Sequence, residues 1–133
     1  MLKELTQATV EFPKDAGTWA DLADFFLGRS EFVRAAEMAR KALELGPDRK
    51  AQLILAAARV RLGQNLSEAE QSLRTLIAGP LKDDDPPFEE VHYWTGRALL
   101  VQGRKSDARQ AFELALTFNP EHAGAKSAMA ETR

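Results

Sequence analysis

Apolar residues recur along the chain at helical spacing, in short stripes that are regularly interrupted. Trp19, Leu22, Ala23 and Phe26 lie three, one and three residues apart, which puts them on one side of an α-helix. Leu53, Ala56, Ala57 and Val60 repeat that spacing, and Gly96 with Leu99 starts a third stripe. After each comes a turn, at Gly28-Arg29-Ser30, Gly63-Gln64-Asn65 and Gly103-Arg104, and then a second stripe. The second stripes are Ala35, Ala39 and Ala42; Ala69, Leu73 and Leu76; and Ala108, Phe112 and Ala115. Ser30 is expected to cap the helix after it, and Asn65 with Glu68 three residues on has the pattern of a capping box. Gly46-Pro47 is expected to end a helix, with the glycine in the left-handed conformation and the proline ring opposing continuation. No run alternates with period two, so a sheet is disfavoured.

The stripes share one period. Ala23, Ala57 and Gly96 are 34 and 39 residues apart, and so are Ala35, Ala69 and Ala108. Prolines follow the same beat at Pro13, Pro47, Pro80 and Pro120. Five residues are therefore inserted between Ala69 and Gly96, and the segment LKDDDPPF, residues 81–88, is their natural place. The predicted organisation is one domain over 1–133. It comprises the second helix of an incomplete repeat (1–15), repeats at 16–49, 50–83 and 89–122, an insertion at 84–88 and a cap helix at 123–133. The predicted fold class is all-α, a right-handed superhelical stack of antiparallel helix pairs with a C-terminal cap helix. The opening half-repeat predicts a domain cut from a longer protein, the alternative being a chain that starts with a lone capping helix.

A 34-residue helix–turn–helix unit with large residues early, small ones in the middle and proline at its end resembles the tetratricopeptide repeat. The first unit carries Trp19, Leu22, Ala23, Phe26, Ala35, Ala39, Ala42 and Pro47 at the family's signature places, and only Ala39 departs in character. The third keeps Gly96, Ala108, Phe112, Ala115 and Pro120; the middle unit keeps Ala57 and Ala69 in phase. Small side chains let two helices cross closely, so Ala23 is expected to face Ala35, and Gly96 to face Ala108. These signature residues are structural.

Composition narrows the chemistry. Eighteen basic and 20 acidic residues give a net charge of −2, which supplies no basic stripe for nucleic acid or anionic lipid. The absence of cysteine removes disulfides, thiol nucleophiles and thiolate metal sites. His92 and His122 stand outside any metal-ligand spacing, and Glu89 with His92 reads as a surface pair. Asp83, Asp84 and Asp85 lack the alternating acids and central glycine of a calcium loop. Asp85 is instead expected to cap a helix whose first turn holds Pro86 and Pro87, lengthening the first helix of the third unit. No enzyme activity, cofactor or metal is predicted. The N-terminus has no signal-like apolar run, and no apolar stretch is long enough to span a membrane. The expected location is cytoplasmic, or periplasmic or membrane-tethered for a fragment.

The resemblance implies a protein or peptide ligand held in a groove lined by the first helices, with possible self-assembly through the N-terminal half-repeat. An RNA-binding helical repeat is the less favoured reading. Carried onto this chain, the groove positions include Asp24, Ile54, Arg61, Tyr93, Trp94, Arg97 and Leu100. Tyr93, Trp94 and Arg97 are of the residue types that dominate interface energetics. The competing reading is that Tyr93 and Trp94 pack between repeats, because aromatic side chains also dominate cores. Repeats that clamp the C-terminal carboxylate of chaperones use Lys, Asn and Arg where this chain has Ala20, Asp24, Leu55, Glu90 and Trp94. That clamp is absent.

Overall fold

The computed structural model describes residues 1–79 and 86–133. Among them are eight α-helices and no strand. The chain forms two compact units, Met1–Gln64 and Asn65–Arg133.

The first unit holds α1 (Leu2–Glu11), α2 (Ala16–Gly28), α3 (Phe32–Leu45) and α4 (Arg49–Leu62). α2 packs on α3, α4 packs on both, and α1 lies against α2. The core is built largely from alanine: Ala20, Ala23, Ala35, Ala39, Ala42, Ala51 and Ala58 are at most 1% exposed. With so little side chain at the crossings the backbones approach closely, and Leu22, Phe26, Ile54 and Leu55 fill the space beside them. Trp19 ties the entry to α2 in place, its indole N–H donating to the Pro13 carbonyl at 2.9 Å.

The second unit holds α5 (Leu66–Ala78), α6 (Phe88–Val101), α7 (Lys105–Phe118) and α8 (Ala123–Glu131). α6 packs against α5 and α7, and α8 rests on α7 and α6. Val91, Leu73, Leu76 and Phe112 are its largest fully buried side chains. Gly96 is needed by its neighbour: a Cβ there would stand 2.5 Å from the Phe112 ring. The group filling the space at Gly96 is thus the Phe112 ring, while Ala108 is also fully buried.

The helix ends depart from several sequence expectations. Ser30 does not cap α3; that position is Glu31, which makes no side-chain cap bond. Ser30 instead takes the left-handed conformation (φ 60°), and the Glu31 N–H donates back to the Phe26 carbonyl at 2.9 Å. Gly63 (φ 68°) and Gly103 (φ 78°) hold the equivalent place in turns closed by Gln64 N–H to Arg59 O and Arg104 N–H to Leu99 O. All three are closed by the same wide back-bond, which requires a left-handed residue. Asn65 occupies the N-cap of α5 without a side-chain cap bond, so the capping box does not form. Gly46 is extended, not left-handed (φ 161°). Pro86 and Pro87 precede α6 rather than entering it, because Pro87 has extended backbone at the N-cap. α6 has 14 residues, as does α4, so it is not lengthened. Asp83, Asp84 and Asp85 lie outside the described residues.

Candidate binding face

In the first unit, the first-helix face carries a small ionic cluster. Lys50, at the start of α4, donates to Asp21 at 2.9 Å and lies 3.8 Å from Asp24. Burial alone would lower the lysine's pKa. The Asp21 hydrogen bond, with the charges of Asp21, Asp24 and Asp48, outweighs burial and holds it above the ordinary lysine value. Asp21 and Asp24 are more than half exposed, whereas Asp48 is occupied in accepting the Ala51 N–H at 2.8 Å. Arg61 is exposed near the end of α4. Ile54, one of the predicted lining residues, is 3% exposed and belongs to the core. A cavity of about 390 Å³ lies between Leu62 and the start of α3, lined by Ser30, Glu31, Phe32, Val33 and Arg34; it includes none of the predicted residues.

In the second unit, the predicted strip on α6 is covered. Tyr93 and Trp94 are each 8% exposed. Tyr93 packs edge-on to Trp94 at 5.1 Å, against Phe112 at 6.0 Å and against His122 at 4.9 Å. Gly124 of α8 approaches so closely that a Cβ there would stand 2.9 Å from the tyrosine ring. Arg97 is paired with Glu131 of α8 at 2.8 Å, and Leu100 is half-buried. Tyr93 therefore packs between helices, and the polar members of the strip are engaged by the cap helix.

That helix is held at both ends. His122 is its N-cap: Nδ1 accepts the Ala125 N–H at 3.0 Å while Nε2 meets Glu90 of α6 at 2.7 Å. An acceptor at Nδ1 places the proton of the neutral ring on Nε2, which then donates to Glu90. At the far end stands the Arg97–Glu131 pair. Glu70 of α5 ties the α6–α7 turn in a similar manner, accepting from Arg104 at 3.1 Å and Gln102 at 3.3 Å.

Sequence reasoning missed Lys50, His122, Gly124 and Glu131. A signal existed for Glu131: it stands 34 residues from Arg97, one full repeat, with opposite charge. Glu70 and Arg104 are also 34 apart. His92, read as a surface residue, is 9% exposed and stacks on Phe118 at 5.7 Å with Phe88 beside it. Burial holds its pKa below the ordinary histidine value. Among the described residues no group of acids and histidines is placed to hold a metal, and no helix is long and apolar enough to cross a membrane.

Comparison with known proteins bears on the whole chain. Residues 89–122 match the family model described as tetratricopeptide repeat. No curated protein matches the sequence. Among solved structures, the second TPR domain of the human RPAP3 protein, determined in complex with the HSP70 peptide SGPTIEEVD, is 19% identical with a TM-score of 0.65. That likeness covers 86% of this chain and 91% of the human one. TTC0263, a thermophilic TPR protein of Thermus thermophilus, is also 19% identical, with a TM-score of 0.72 over 98% of this chain and 70% of its own.

Proposed function

The chain is a tetratricopeptide-repeat protein, and on that premise we propose that it is a non-catalytic scaffold holding a segment of another polypeptide against its first helices. The observation that carries this is the exposure of Asp21, Asp24 and Arg61 on α2 and α4, whose neighbours on the same helices are buried. Asp21 and Asp24 stay more than half exposed beside Lys50, and the mixed signs of the face suit a segment bearing both charges. Arg97 and Leu100 extend the proposal to the second unit, with Tyr93 as an anchor only where α8 moves aside.

Cross-linking decides between faces. A photoreactive residue at Asp24, Arg61 or Arg97 should capture the same partner, and one at Glu37 or Gln110, on the exposed sides of α3 and α7, should not. Arg97→Ala should then weaken binding at least about tenfold. Capture from Glu37 and Gln110 alone would move the partner to the second helices and end this reading.

A second reading is favoured by α1 and its C-cap, where Leu2, Val10 and Phe12 are 41%, 70% and 56% exposed. Self-association through this helix would cover them. Sedimentation at rising concentration tests it: the chain should dimerise, and Val10→Ser with Phe12→Ser should keep it monomeric. A wild type that stays monomeric throughout rules this reading out.

A further inference from the structure

We propose that His122 is an acid-sensitive latch on the C-terminal helix: neutral, it caps α8 and closes it over Tyr93; protonated, it releases the first turn and uncovers the ring. The inference rests on the fold alone and needs no partner.

The two ring nitrogens have different partners. Nδ1 accepts the Ala125 N–H at 3.0 Å, and Nε2 donates to Glu90 at 2.7 Å. A second proton has only Nδ1 to go to, and there it abolishes the acceptor. The imidazolium would also place positive charge against the unpaired N–H groups at the start of α8, where the helix dipole opposes it. Glu90 pulls the other way, since protonation turns its hydrogen bond into an ion pair. The two effects act on different structures: the Glu90 contact keeps the ring on α6, while the lost acceptor loosens α8. Acidification therefore separates the helix from its cap.

Few other contacts would hold that turn. α8 is nine residues long, and its buried residues are Ala125 and Ala128. Gly124 sits on the Tyr93 ring without a side chain of its own. The ring faces Glu90 and, at 4.9 Å, Tyr93, while the charged residues beside it in sequence, Glu121 and Lys126, pair with each other at 3.1 Å. Just beyond α7, the Asn119 carbonyl accepts the His122 N–H.

The test compares the full chain with His122→Asn, in which a non-titrating side chain can accept the same cap bond. Amide hydrogen exchange, corrected for intrinsic rates, is read at pH 7.5 and pH 5.0. In the wild type, protection of Ala125 and Lys126 should fall on acidification about fivefold or more beyond any fall at the α7 amides around Phe112, the scale of a lost N-cap; the Phe112 amides report the acid destabilisation that the buried His92 brings to the whole unit. In His122→Asn protection in α8 should fall no further than it does around Phe112. Equal responses in the two proteins, or α8 protection that rises on acidification, overturn the proposal. Should His122→Asn not fold, the wild type decides alone: a loss in α8 about fivefold greater than around Phe112 supports the latch, and a loss no greater than there overturns it.

Discussion

Gly96 and Phe112 share one space, because the ring stands where any β-carbon at residue 96 would have to be. A methyl group there must displace a fully buried phenyl ring in a packed interior. Gly96→Ala should therefore destabilise the second unit by about 1–3 kcal/mol despite alanine's higher helix propensity. Combining it with Phe112→Leu should cost less than the two single losses added, which thermal unfolding of the set would show. Ser30 offers the opposite case: it sits in the left-handed region where Gly63 and Gly103 stand in the matching turns. Ser30→Gly should raise stability by about 0.5–1 kcal/mol, measured by urea unfolding. The small residues at crossings were legible because no larger side chain fits, so the sequence must repeat them. Ser30 was not, because a serine before a helix reads equally as a cap or as a left-handed turn residue, and only the back-bond to Phe26 distinguishes the two.

At the scale of a helix, α6 shows how one element is read correctly in kind and misjudged by face. Its apolar period is plain, and the stripe with Gly96 and Leu99 is buried. Tyr93 and His92 also turn inward, because α8 and Phe118 cover them from outside the element, and Trp94 is buried beside Tyr93. Nothing local to residues 88–101 announces that cover. The buried His92 has a consequence in acid. Burial lowers its folded-state pKa below the ordinary 6.5, so the unfolded chain binds the proton more readily. The neutral ring's contribution is then fully present above pH 6.5 and is lost as pH falls below it. His92→Phe should flatten the part of the stability–pH curve between about pH 6.5 and 5, read from melting temperatures across that range.

For the molecule as a whole, the balance of charge decides what can be held. The human structural neighbour was determined with an acidic peptide, SGPTIEEVD. Here Asp24 and Glu90 stand where a carboxylate clamp would carry Asn and Lys, Ala20, Leu55 and Trp94 are buried, and the net charge is −2. Titration of that peptide into this chain should give no saturable binding below millimolar concentration, by calorimetry or fluorescence. The pairing of Arg97 with Glu131, one repeat apart, bears on a different matter: the order in which units can be joined. These residues stand at the same place in successive units, one positive and one negative. A copy of the third unit set in place of the last helix would bring arginine against arginine at that point. Like charges so close repel, by about 1 kcal/mol or less at a partly exposed site, so the junction would favour the helix that follows it now over a duplicate of its own neighbour. The charge at this place works as a rule of grammar, preferring one neighbour to another.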